Sequence, residues 1–317
     1  MAKATREAYG EELARLVTEN PKIVVMDADL AGSTRSAEAG KAAPERFFDF
    51  GIAEADMIGN AAGFAASGYT VFCSTFAMFA TGRCWEQIRN SLVYPQLDVK
   101  IFGSHGGIAV GEDGVSHQAI EDLGIMRTIP KMQVYNPCDA AEMKAVVDYV
   151  AGSGVPCYIR GTRSRVEDVY PEGNVPDVTK VHVLKKGANV AIFATGLMVQ
   201  AALQARNQLL EEGINPTVAD VCCLKPADEE TIGQILKDHR VIITCEEHNV
   251  VNGLGSLIAD VASRTAPRLI ARVGMQDRFA ESGSFEALLK KYHLDPDGIV
   301  ETVHNAMQGD ACGIHGC

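Results

Sequence analysis

The sequence predicts an α/β protein of two domains with mainly parallel sheets. Three observations predict it. Short β-rich runs alternate with helical patterns along the whole chain. One Pro/Gly/charge-rich passage, SRVEDVYPEGNVPDVTK at 164–180, interrupts the alternation and reads as a linker. With 317 residues, each half can bury its own core. A hydrophobic content of 47% against 22% charged residues is ordinary for globular domains, so neither disorder nor a fibrous chain is expected.

The first half offers strands at 22–29 (KIVVMDAD), 69–76 (YTVFCSTF), 98–104 (DVKIFGS), 132–138 (MQVYNPC) and 157–162 (CYIRGT). Each is a short, nearly continuous apolar run, as expected for strands buried on both faces. Helical patterns fall between them at 5–18, 54–66, 80–92, 117–126 and 139–151. The second half restarts the pattern with strands at 189–196, 216–224, 240–247 and 268–274 and helices near 197–212, 227–237, 252–264 and 283–291. The expected division is a first domain over 1–165, a linker over 166–185 and a second domain over 186–317. Met57 to Gly82 contains no charged residue and is long enough to cross a bilayer. Its glycines, Asn60 and the turn signal ASGY instead predict a buried helix followed by a buried strand, and no membrane span.

A net charge of −12 argues against nucleic acid or an anionic membrane as the main partner, while leaving room for a local basic pocket. The nine cysteines are odd in number and lie mostly in apolar runs behind an amphipathic, charged N-terminus; reduced thiols in a cytoplasmic protein are expected.

Two motifs carry chemistry. FFDFGIAEADM (47–57) places Glu54 just inside a helix, between aromatic and apolar neighbours. Burial disfavours the charged form of such a carboxyl and suits it to sharing a proton, although a helix N-terminus also accepts a carboxylate for purely structural reasons. GSHGGIAVGEDGVSHQ (103–118) is a glycine-rich loop with two histidines and two carboxylates. It has no lysine and so is not a P-loop, and its histidines, twelve residues apart without a nearby cysteine, do not have metal-ligand spacing. On these grounds alone a proton-moving site and a solvated turn stay equally open. STFAMF (74–79) adds two aromatic rings that could form a wall for a flat heterocycle or simply pack in a core.

Together these motifs resemble the pyrimidine-binding half of transketolase. Gly-Ile-Ala-Glu at 51–54, Thr-Phe-x-x-Phe at 75–79 and a His six residues before GEDG, with a second His and a Gln after it, all match the family. EEHNVVNGLGS (246–256) and QDRFAESGSFEALLKKY (276–292) are similar to its C-terminal domain, so the likeness runs from about residue 4 to 306. Ala55-Asp56 and Gly82 depart from the family's usual residues. The resemblance implies thiamine diphosphate as cofactor, with Glu54 against a pyrimidine nitrogen, Phe76 and Phe79 lining the ring and Asp29 ordering a loop nearby. It implies His117 beside the reacting carbon and Asp113 at a sugar hydroxyl. Arg6, Ser33, His105 and Arg163 would meet the terminal phosphate of a sugar-phosphate substrate.

The family's GDG…Asn motif, which holds the diphosphate and its metal, does not occur. The resemblance therefore implies a partner, an N-terminal-section subunit carrying GDG…Asn and a Mg or Ca ion, in an α2β2 heterotetramer; no metal ligand is implied in this chain. Glu247 and His248 are expected to be structural. Alternatives are the β-type subunit of a 2-oxoacid dehydrogenase, a deoxyxylulose-phosphate synthase relative, a transketolase for a branched or sulfonated sugar, and a non-catalytic scaffold. The tail residues Cys312, His315 and Cys317 could clip a soft metal, although a fraying end is the simpler reading.

Overall fold

Strands β1 (Lys3–Ala4), β2 (Ile23–Asp27), β3 (Phe47–Asp49), β4 (Thr70–Phe76), β5 (Val99–Ser104), β6 (Gln133–Tyr135), β7 (Cys157–Arg160) and β8 (Arg165–Val166) come from the first half of the chain. The second half supplies β9 (His182–Lys185), β10 (Asn189–Ala194), β11 (Thr217–Asp220), β12 (Cys223–Lys225), β13 (His239–Asn249) and β14 (Ile270–Met275). This computed structural model describes residues 2–309.

A seven-stranded sheet runs in the order β12-β6-β7-β5-β4-β2-β3, all parallel except β12. A five-stranded sheet runs β14-β13-β10-β11-β9, parallel except β9, and β1 pairs with β8 as a separate ribbon. Central strands such as Ile23–Asp27 and Val99–Ser104 are buried at every position, as helices on both faces require. One apolar cluster crosses the junction between the sheets, joining Met26 and Ile101 to Phe193 and Ile242. Among the described residues no helix is long and apolar enough to cross a membrane.

The chain departs from the sequence expectations at five main places. The helix expected at 80–92 is Ala77–Arg83, a break at Cys84, a turn at Trp85–Gln87 and a π-helical segment Ile88–Val93. The break leaves Arg83 as the last residue of its helix. The helix expected at 117–126 is Asp122–Thr128, because residues before it are drawn into the glycine loop. Gly107 N donates to Ala119 O at 2.7 Å, and Gln118 Nε2 donates to Glu281 O at 3.0 Å. The strand expected at 216–224 is two strands in different sheets: after Asp220 the chain crosses over, and Cys223–Lys225 pairs antiparallel with β6. Residues 182–185, inside the passage read as linker, form β9 against β11. A helix at Pro296–Gln308 was not anticipated, although Asp295 caps it, proline opens it and Gly309 closes it at φ 93°.

Candidate active site

The site is assembled at the carboxyl ends of the parallel strands, where open α/β sheets place their ligand crevices. Register brings the strand ends level: Asp27 lies opposite Ser74 and Asp49, and Phe76 lies opposite Ser104. The loops leaving β2, β3, β4, β5 and β7 therefore emerge side by side. They carry Ser33, Glu54, Phe76 with Phe79, His105 with His117, and Arg163.

Glu54 opens the helix Glu54–Ala66 and is only 4% exposed. Its Oε1 accepts a 2.7 Å hydrogen bond from Arg83 Nη1. The carbon of the same guanidinium lies over Phe79, 4.0 Å from the ring centroid. Arg83 follows Phe79 by four residues on one helix, which puts both on the same face. Phe76 and Phe79 are near parallel, 17° apart with centroids at 5.8 Å. His105 stacks on Phe76 at 4.0 Å, and His117 meets Phe79 edge-on at 5.3 Å. A buried carboxylate, two parallel rings and two imidazoles thus converge from separate segments.

An arginine-rich corner adjoins the rings. Arg6, near the start of the helix Thr5–Glu19, donates from Nη1 to Ser33 O at 2.9 Å and lies 3.5 Å from His105 Nε2. Its Nε is buried without a partner. Burial, then Arg35 and Arg163, hold the Arg6 guanidinium below its ordinary range, while Glu7 opposes them. Arg163 Nη1 donates to Val110 O at 2.7 Å and lies 3.5 Å from Asp113 Oδ2. His105 is held at φ 59° with Ser104 Oγ 2.8 Å from its Nδ1. Burial first, then Arg6, Arg163 and His117, push its pKa down to about 3, so it is neutral at physiological pH. Arginine only donates, so Nε2 faces Arg6 as acceptor and Nδ1–H serves Ser104. The positive charge of the corner thus comes from its arginines, in a chain of net charge −12.

Sequence reasoning missed the groups that hold these residues in place. Asp27 accepts from Leu30 N, Thr34 Oγ1 and Ser36 Oγ, each at 2.7 Å, and so folds the loop that carries Ser33. Burial pushes its carboxyl up to about 6. Gly10 lets the Arg6 helix meet the Arg35 backbone, since a Cβ there would lie 2.5 Å from Arg35 O. Arg160 clamps the histidine loop from below, donating to Ala119 O and Glu247 O at 2.8 and 3.0 Å and pairing with Asp122 at 3.1 Å. Arg83 had a legible signal, its four-residue spacing from Phe79. Asp29 stands differently from the others: it is exposed at φ 63°, tied by its N–H to Asp49 Oδ1 at 3.0 Å. No hydrogen bond or ion pair joins its carboxylate to the rings among the described residues. Cys312, His315 and Cys317 lie outside the described residues.

The two-sheet architecture, with its crevice at the carboxyl edge of the larger sheet, defines one section of a two-part enzyme family. Residues 1–168 match the family model for the transketolase pyrimidine-binding domain, and residues 179–299 match that for the transketolase C-terminal domain. A Methanocaldococcus jannaschii protein named as a transketolase C-terminal section is 43% identical over 96% of this chain and 97% of its own. A 6-deoxy-6-sulfo-D-fructose transketolase subunit of a Clostridium species is 35% identical over 96% and 94%. The solved structure titled as a split-gene transketolase, inactive beta4 tetramer, superposes with a TM-score of 0.88 at 45% identity, covering 97% of this chain and 99% of that one. This chain belongs to the transketolase family, in the form of its C-terminal section.

Proposed function

We propose that this chain is the pyrimidine-side subunit of a transketolase. With a partner subunit it moves a two-carbon ketol unit from a ketose phosphate to an aldose phosphate. The observation that carries the reading is the convergence of Glu54, Phe76, Phe79, His105 and His117 on one crevice.

The residues fit thiamine diphosphate, and Arg83 supplies the test. Its flat, N–H-bearing guanidinium already makes the two contacts an aminopyrimidine would make, a hydrogen bond to Glu54 and a stacked face on Phe79. When bound, the cofactor supplies the electron sink that stabilises a carbanion next to its thiazolium ring. Glu54, Phe76 and Phe79 would hold its pyrimidine end. Glu54, itself almost wholly buried, would share a proton with that ring. His117, with Ser116 Oγ 2.9 Å from its Nδ1, moves or donates a proton at a substrate oxygen. Asp113, held near Arg163, accepts from a sugar hydroxyl, and Arg6 and Arg163 grip the terminal anion. Asp29 acts through the loop it terminates.

The diphosphate and its Mg or Ca ion fall to an N-terminal-section subunit carrying GDG…Asn, in an α2β2 assembly. A sulfonate offers the arginines three tetrahedrally arranged oxygens like those of a phosphate, at a smaller negative charge, and the sulfo-sugar relative makes it the second reading. The test is to mix this chain with its partner and thiamine diphosphate and follow ketol transfer from phosphorylated and sulfonated ketoses. Transfer by the mixture and by neither subunit alone is expected. Robust transfer by this chain alone, or none by any mixture, would overturn the reading.

A further inference from the structure

The contacts of Arg83 point beyond a passive salt bridge. Glu54 is almost wholly buried, yet its partner is a half-exposed arginine whose side chain retains 48% of its accessible surface. Arg83 is the last residue of the helix Ala77–Arg83, and the chain breaks at Cys84, with φ −130° and ψ 25°. Gly82 precedes it, and a Cβ at Gly82 would touch nothing nearer than Met78 Cε at 3.5 Å. Nearly half of the Arg83 side chain already faces solvent, so the guanidinium can swing outward when it leaves Glu54. The guanidinium sits over Phe79, a ring that also meets Phe76 and His117.

We propose that Arg83 is a placeholder that competes with the cofactor's pyrimidine for Glu54 and Phe79, and so sets the affinity of the site. The inference rests on the proposed thiamine site and adds a residue that must leave it. Both occupants would use the same two groups. Glu54 Oε1 accepts from Arg83 at 2.7 Å, and the stacked face of Phe79 is covered at 4.0 Å. A buried carboxylate without a partner is costly, so the arginine keeps Glu54 hydrogen-bonded while the site is empty. Its half-exposed position makes it quick to release. The same exchange gives the subunit a lower affinity than its carboxylate and rings alone would provide.

The experiment uses the assembled two-subunit complex, with thiamine diphosphate and Mg as the probe and isothermal titration calorimetry as the readout. Arg83→Gln and Arg83→Ala are compared with wild type. Both are expected to bind about three- to tenfold more tightly, the combined scale of an exposed cation–π contact and a half-exposed ion pair. Arg83→Lys, which keeps the charge without the flat face, should fall between them and wild type. A second readout needs no partner: Glu54→Gln in this chain alone should free Arg83, raising its modification rate by phenylglyoxal about threefold or more. Equal affinity in all forms would overturn the proposal. So would weaker binding by Arg83→Ala, which would make the arginine a cofactor ligand. Absence of binding by every form, wild type included, would instead remove the thiamine site itself, and the placeholder with it.

Discussion

Glu247 accepts the backbone N–H of Ala109, and its carboxyl group occupies the space that a Cβ on Gly107 would need. Glu247 lies on β13 of the second sheet, and Gly107 and Ala109 belong to the histidine loop of the first. The second domain therefore shapes the loop that carries His105 and His117. Burial pushes the Glu247 carboxyl up to about 7, with the nearby Arg160 pulling the other way.

Gly107→Ala tests this contact. Gly107 has φ 80° and ψ −167°, a region that glycine alone adopts readily, and a Cβ would lie 2.2 Å from Glu247 Cδ. A stability loss of about 3 kcal/mol or more is expected in urea unfolding. Glu247→Ala, which opens the space but orphans Ala109 N–H, should lose about 1–3 kcal/mol. Wild-type stability in both variants would mean that the loop holds itself.

Glu54→Gln in the assembled complex should cut turnover at least about a hundredfold, the low end for a general acid–base group. The amide preserves shape and can still face the ring, so the far-ultraviolet circular dichroism should not change. Near-normal turnover would take Glu54 out of the mechanism.

Arg163→Ala should raise the Michaelis constant for phosphorylated substrates about ten- to a hundredfold, the equivalent of one charge-assisted hydrogen bond. Unphosphorylated donors should change much less. Arg163 also donates to Val110 O, so a loss common to both substrates would assign it to holding the loop. Arg6→Ala, which removes the other cation of the corner, should repeat the discrimination if the corner binds the anion.

A pH dependence is expected from the junction between the domains. Glu142, on the helix Ala140–Ala151, and Asp220, at the end of β11, are both buried, and each keeps one carboxylate oxygen with no donor among the described residues. Tyr170 OH donates to the other Asp220 oxygen at 2.8 Å and lies 3.0 Å from His182 Nδ1; Cys138 N donates to Glu142 Oε2 at 2.7 Å. Burial raises both carboxyls, Asp220 to about 6 and Glu142 well above its ordinary value, and their oxygens lie within 4.8 Å of each other, so the pair is expected to hold a shared proton. The folded state thus binds this proton more tightly than the unfolded chain. Stability from the pair is fully present below about pH 4 and falls as pH rises, through about 6 for Asp220 and higher for Glu142. In Glu142→Gln the amide donates at every pH, so its melting temperature should fall less than that of wild type between about pH 5 and 8. Parallel curves would show that the pair does not share a proton.

Much of this was legible in the chain. Continuous apolar runs such as Ile23–Asp27 read directly as buried strands, and the helix at Glu54–Ala66 was bounded correctly by its sequence. Positions that depend on distant partners were not legible. Nothing local in CCLKP says that Cys223 will pair with Tyr135 in the other sheet. Gln118 reads as helical until Glu281 O, far along the chain, claims its amide. The candidate site residues were picked out by motif spacing, and the level strand ends bring most of them together. Arg83 matched no motif, and its four-residue spacing from Phe79 was the one local signal it gave.

Cys223–Lys225 lies within the residues that match the C-terminal domain, yet it completes the edge of the first sheet. The two domains are therefore stitched and not merely stacked. Expressing residues 1–168 alone would bare the N–H and C=O groups of Gln133–Tyr135, an edge ready to capture strands from other molecules. Domain swaps between relatives must likewise carry the segment facing Gln133–Tyr135 or redesign both sides of the seam. The smallest portable piece of this subunit is nearly all of it.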